Sequence, residues 1–264
     1  MRGIQYRSTI HLLLAMAFLL ATVGSAWAAD GPRDARGTNG VVSSAHPLAS
    51  QVGLDILKAG GNAIDAAVAT GFALGVVEPN ASGIGGGGFM LIWLAERRQA
   101  VFIDFRDKAP SGAAADMFEL DAEGKVKPND KGFNPAVIGG KSVAVPGEVA
   151  GLLLAQQTFG TMSRQRLIQP AIDHAERGVV VSEGLAGMIA ENNDDLLGYP
   201  ATAAIYLSDD FPKQPGELVQ NQDLARTQRL VSEKGTDGFY RGPVARSIVD
   251  AVRDEGCTMT LDDL

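Results

Sequence analysis

The sequence predicts a helix-rich α+β protein, and three observations point to it. Apolar segments with helical spacing, bounded by caps and breakers, recur between Pro47 and Asp254. Two short apolar runs, Phe89 to Leu94 and Ala100 to Arg106, are joined by the charged stretch Ala95 to Gln99 and read as a β-hairpin. The composition is 45% hydrophobic with no low-complexity linker, so the chain beyond its leader has enough apolar material for a single substantial core.

The leader comes first. Arg2 and Arg7 precede an apolar run from Ile10 to Val23, and Ala26-Trp27-Ala28 supplies small residues where a signal peptidase reads. Residues 1–28 are therefore expected to be a cleaved secretory signal, which places the mature product, residues 29–264, in a periplasm or outside the cell. A retained anchor is the rival, but the run is well short of the roughly 20 residues a span needs. Removal of Arg2 and Arg7 takes the formal charge from -8 to -10, with 21 basic against 31 acidic residues left. That balance argues against nucleic acid, whose phosphates require clustered Lys and Arg. One cysteine, Cys257, excludes an internal disulfide. His46 and His174 lie in no ligand-spaced cluster, so each reads as a packing or surface histidine and no metal is expected.

Gly40 to Ser44 is expected to form a strand. Pro47 then opens a helix in which Leu48, Val52, Ile56 and Ala59 follow helical spacing and which Gly60-Gly61 stops. Asn62 caps a second helix, Ala63 to Val77, so uniformly apolar or small that it should be buried on most sides. A glycine run follows. Gly83, Gly85 and Gly88 match the dinucleotide pattern G-x-G-x-x-G, with Asp104 and Asp107 near the position of a ribose-binding acid. The order contradicts that reading, because a phosphate loop leaves a strand and opens a helix, whereas here the helix precedes the glycines and the strand follows. The run instead suits a backbone that turns sharply or is closely approached by other segments.

In the hairpin, alternation puts Val101, Ile103 and Phe105 on one face and Phe102, Asp104 and Arg106 on the other. Ala109 to Lys141 carries three prolines among charges and reads as irregular. Pro146-Gly147 starts a helix through Gln157, with Val149, Leu152 and Leu153 on its buried stripe and Gly160 past its end. Ser163 caps another helix that ends near Gly178 and that Pro170 should kink or split. Its Arg164, Arg166 and Arg177 read as a solvated face. Ser182 to Leu197 is weakly helical, and Asp194 and Asp195, adjacent and so about 100° apart, do not make a catalytic pair. Tyr206 to Glu217 reads as loop. Asn221 caps a helix to Lys234, Pro243 to Asp254 forms the next, and Arg226, Arg229, Arg246 and Arg253 should be exposed. Thr260 to Asp263 fits a capping box with no helix after it, which suggests a chain that stops partway through its fold.

The run SGIGGGGFMLI followed by IDFRDKAP resembles the large-subunit core of the γ-glutamyltranspeptidases, N-terminal-nucleophile hydrolases acting on glutathione and other γ-glutamyl amides. VVSSAHPLASQVGLDILKAGGNAIDAAVATGFALGVVEP is similar to that family's opening strand and helix pair. PGEVAGLLLAQQTFGTMSRQRLIQPAIDHAERGVVVSEGLA and the segment from Asp237 to Leu264 resemble its later large-subunit helices. The resemblance implies an αββα sandwich, of which this chain supplies the large-subunit part, a small subunit from the same precursor, and no cofactor. It also gives Arg106, in Asp104-Phe105-Arg106, the task of gripping the α-carboxylate of the γ-glutamyl group. Arginine suits that task because its planar fork makes two parallel charge-assisted hydrogen bonds.

No catalytic residue can be assigned within the chain. It carries no G-x-S-x-G elbow, S-x-x-K pair or H-E-x-x-H. In the resembled family a self-cleaved threonine attacks the γ-glutamyl carbonyl with its own amine as base, in a T-T-H-like context that this sequence lacks. Two alternatives stand beside γ-glutamyl transfer. One is a related acylase for another side-chain amide such as glutaryl, with an α-carboxylate for Arg106 as the discriminator. The other is an inactive folding or binding fragment whose strands are left uncovered.

Overall fold

A computed structural model describes residues 35–264, so the expected signal at residues 1–28 lies outside the described residues. Among the described residues, regular structure begins with helix α1, Pro47–Lys58, and the elements described belong to the unit Val42–Leu264. The order continues α2 (Ala63–Val77), β1 (Gly88–Leu94), β2 (Gln99–Phe105), α3 (Glu148–Phe159), α4 (Arg164–Arg177) and β3 (Val179–Val180). It closes with α5 (Glu183–Glu191), α6 (Asn193–Leu197), α7 (Pro200–Tyr206), β4 (Leu207–Ser208), β5 (Phe211–Pro212), β6 (Leu218–Val219), α8 (Gln222–Lys234), α9 (Asp237–Tyr240) and α10 (Gly242–Asp254). Strands pair antiparallel as β1 with β2, β3 with β6, and β4 with β5, which with the helices gives the α+β class. Among the described residues no helix is long and apolar enough to cross a bilayer.

Helix α2 is the axis of the core. Its lack of a polar face leaves Ala66, Val68, Ala69, Phe72, Ala73, Val76 and Val77 all buried, and it packs on α1, α3 and α4. Helices α3 and α4 add Val149, Leu152, Leu153, Leu167, Ile168 and Ile172 to the same cluster. The hairpin lies against this layer through one face, where Ile92 and Ile103 are buried and Met90, Val101 and Phe105 pack on the core. Alternation then forces Phe89, Leu91, Trp93 and Phe102 outward, and each is 59% to 74% exposed.

Several expectations need correction. Gly40 to Ser44 forms no strand, because its hydrogen bonding goes elsewhere. The Ser44 amide donates to Ser50 Oγ at 3.1 Å and the Ser44 hydroxyl to the His46 carbonyl at 3.0 Å, which sets up the start of α1. Pro170 does not split α4, which runs unbroken from Arg164 to Arg177 with Ser163 as its cap. A proline costs the helix one backbone hydrogen bond, and burial of Leu167, Ile168, Ala171 and Ile172 on either side holds it together. Arg164 is not simply solvated, since its Nε and Nη2 donate to the Ser232 and Glu233 carbonyls at 2.8 and 2.7 Å. That caps the end of α8 with a cation, where the helix dipole favours one. Arg229 is half-buried and pairs with Glu176.

The predicted loop Tyr206 to Glu217 contains the β4–β5 hairpin, turned by Asp209 and Asp210 at φ 51° and 66°. Two consecutive left-handed residues make a type I′ turn, a conformation in which glycine avoids the Cβ strain. Asp210→Gly is therefore expected to raise the unfolding free energy by about 0.5 kcal/mol, read by urea denaturation.

Candidate active site

The site is built where three backbone segments meet at the open end of the hairpin. Residues 78–87 link α2 to β1, Phe105 to Lys108 leaves β2, and Val145 to Glu148 leads into α3. The Gly147 and Glu148 amides both donate to the Gly86 carbonyl, at 2.8 and 2.9 Å, and Val145 exchanges hydrogen bonds with Lys108. Arg106 and Asp107 are thus bracketed on both sides by the segment that opens α3.

Close approach explains two of the glycines. A Cβ on Gly147 would fall 2.0 Å from the Phe105 carbonyl oxygen, and one on Gly87 would fall 2.5 Å from the Asp107 nitrogen and the Phe105 oxygen. The chain does turn within this loop, where the Gly86 amide donates to the Gly83 carbonyl at 3.1 Å, but the turn does not require glycine at every position. No glycine from 83 to 88 has positive φ, and Cβ atoms on Gly83 and Gly85 would meet nothing within 4 Å. The dinucleotide reading stays excluded by element order, because the run follows helix α2 and precedes strand β1.

These segments surround a cavity of about 380 Å³ lined by Gly71, Ser82, Gly88, Phe89, Arg106 and Glu148 among others. Arg106 lies one residue beyond β2 with its side chain 60% exposed. Asp104 does not pair with the guanidinium. Instead it accepts the Arg106 backbone N–H at 3.0 Å, while Arg106 Nη1 contacts Asp107 Oδ1 at 3.0 Å. An exposed pair of this kind is worth little, and it engages one nitrogen of the fork. Glu148, the first residue of α3, is half-buried in the same cavity, and burial raises its carboxyl pKa. The cavity therefore joins one accessible guanidinium, one half-buried carboxyl group and a lining of glycine backbone. A second cavity of about 400 Å³, lined by Leu185, Met188, Tyr199 and Tyr206, has Asp195 as its charged residue and no cation in its lining.

Sequence reasoning missed Glu148 and Tyr240. Glu148 was legible only as part of a helix start. The Tyr240 hydroxyl reaches the segment that opens α3, accepting from the Ala150 amide at 3.2 Å and donating to the Pro146 carbonyl at 3.0 Å. Ninety residues of chain separate those partners, and no local pattern signals the contact. The histidines lie elsewhere. His46 caps α1 by accepting the Leu48 amide at Nδ1, 3.2 Å, and burial lowers its pKa. His174 is half-buried in α4, and burial lowers its pKa as well. Among the described residues no group of three or more His, Cys, Asp or Glu is placed to hold a metal.

The family model described as Gamma-glutamyltranspeptidase matches residues 49–264. The glutathione hydrolase proenzyme of Pseudomonas sp. (strain A14) is 46% identical over 96% of this chain and 42% of its own length. The acylase ACY 1 proenzyme of Pseudomonas sp. (strain SE83) is 42% identical over 88% of this chain and 41% of its own. The crystal structure of Helicobacter pylori gamma-glutamyltranspeptidase superimposes with a TM-score of 0.81 at 39% identity, covering 87% of this chain and 64% of that one. The chain thus spans about two fifths of the length of the curated relatives it matches.

Proposed function

This chain belongs to the gamma-glutamyltranspeptidase family, and from that premise we propose that it supplies the carboxylate-binding half of a site that transfers γ-glutamyl groups from glutathione and related amides to water or an amine. The observation that carries the proposal is the placement of Arg106, exposed beside a cavity that the same family motif builds. In the proposed reaction the hydroxyl of a threonine, assigned to no residue of this chain, attacks the γ-carbonyl. The amide nitrogen leaves as an amine with a proton, and the resulting ester passes its acyl group to water or to an acceptor amine. Arg106 holds the distant α-carboxylate and so fixes the reacting carbonyl in place.

The partner in this proposal is the small subunit cut from the same precursor. The outer face of the hairpin supports it. Phe89, Leu91, Trp93 and Phe102 present a continuous apolar strip, with Phe89 and Phe102 stacked at 5.6 Å, and a sheet face of that kind calls for cover. Export to a periplasm or outside the cell remains part of the proposal and rests on the arginine-led apolar leader.

The acylase reading has its own support in the similar acylase relative. An α-carboxylate does not separate the two after all. A glutaryl group is a γ-glutamyl group without its ammonium and offers Arg106 a carboxylate at the same distance. Fusing the chain to the remainder of the Pseudomonas sp. (strain A14) relative and assaying anilides tests both readings. The expected result is self-cleavage and faster aniline release from the γ-glutamyl than from the glutaryl substrate. A reversed preference would favour the acylase, and a folded but inert chimera would favour the inactive fragment.

A further inference from the structure

We propose that Tyr240 is a positioning residue for the Arg106 cavity, acting through the segment that opens α3. The inference rests on the reading of Arg106 given above. The Tyr240 hydroxyl bridges the Pro146 carbonyl and the Ala150 amide, at 3.0 and 3.2 Å, across the point where loop becomes helix. Between those anchors lie Gly147 and Glu148, whose amides converge on the Gly86 carbonyl. Immediately before them lies Val145, which is hydrogen-bonded to Lys108 in both directions. One phenol therefore fixes a segment that grips the glycine lining on one side and the residues after Arg106 on the other.

The surroundings suit that task. The ring is half-buried and packs edge-on against the buried Phe239, with centroids 5.0 Å apart, so the hydroxyl is delivered from a rigid mount. Burial and the nearby Glu148 charge both raise the phenol pKa, although the Ala150 amide lowers it in part, so the proton needed for donation to Pro146 is retained. A phenylalanine would keep the ring contact and lose both hydrogen bonds, leaving the Pro146 carbonyl and the Ala150 amide to find other partners.

The test compares Tyr240→Phe with Tyr199→Phe in the full chain, using amide hydrogen exchange and titration with L-glutamate. Tyr199 is the control because its buried hydroxyl has no hydrogen-bond partner among the described residues. For Tyr240→Phe the expected result is exchange at the Gly147 and Glu148 amides faster by about fivefold and glutamate affinity weaker by a similar factor, the loss typical of one hydrogen bond. Tyr199→Phe should leave both unchanged. Unaltered exchange in Tyr240→Phe overturns the proposal, and so does faster exchange with unaltered affinity, which would mark a purely structural bond. Absence of glutamate binding by the wild-type chain would instead overturn the Arg106 reading and the positioning role with it. The exchange data, which need no ligand, keep those failures apart.

Discussion

Asp65→Ala is expected to lower the unfolding free energy by at least about 3 kcal/mol, measured by urea denaturation at neutral pH. Asp65 is fully buried at the third position of α2, and among the described residues it forms no salt bridge. Its carboxylate is held by donors alone. It accepts the Asn62 amide at 3.0 Å, the Thr161 amide at 3.0 Å, the Met162 amide at 3.2 Å and the Thr161 hydroxyl at 2.6 Å. Alanine would strand these groups in a dry setting at once, and an unsatisfied buried donor costs more than a hydrogen bond contributes. The damage would spread, because Asn62 also donates to the Phe159 carbonyl at 2.7 Å, so the same cluster ties the start of α2 to the turn between α3 and α4.

The charge has a pH signature. Burial, the largest influence, pushes the Asp65 carboxyl up, but the Thr161 hydroxyl and the amides of Asn62, Met162 and Thr161 together outweigh it and hold it below its ordinary value of 3.8. The folded state thus binds this proton less readily than the unfolded chain does. The stabilisation is complete above the ordinary carboxylate range and is lost as pH falls through the lowered value. Asp65→Asn should flatten that part of the stability profile. A variant that keeps the wild-type slope would assign the acid sensitivity to other carboxylates.

Arg106→Ala is expected to weaken binding of γ-glutamyl ligands by at least about 1.5 kcal/mol, roughly tenfold, with little change in stability. The two effects separate because the side chain is exposed and its pair with Asp107 contributes little to folding. Arg106→Lys should recover only part of the loss, since an ammonium cannot reproduce the parallel fork. Titration of the chain with L-glutamate and with glutarate reads both variants. Unchanged affinities in Arg106→Ala would remove the assignment, whereas parallel loss for the two ligands would show that Arg106 reads the carboxylate and leaves the ammonium to another group.

Legibility followed the range of the physical cause. The two opening helices were readable almost to the residue, because Pro47, Asn62 and the glycine pair act within one turn of the backbone they start or stop. The hairpin and both its faces followed from alternation, and the buried face of α3 from periodicity. The expected strand at Gly40 to Ser44 failed because a strand needs a ladder partner, which no local pattern supplies. Arg164 was misread because its acceptors are carbonyls 68 and 69 residues away.

By itself the sequence determined the class of the fold, the positions of its principal helices and hairpin, the family likeness and the candidacy of Arg106, since all of these rest on local spacing or on contiguous motifs. The tertiary structure alone decided that Asp65 is a buried knot, that Glu148 enters the cavity, and that Gly86, Lys108, Val145 and Tyr240 fix the backbone on which Arg106 stands. Those roles depend on hydrogen bonds and close approaches between segments tens of residues apart, and a chain acquires them only when its core has already brought the segments together.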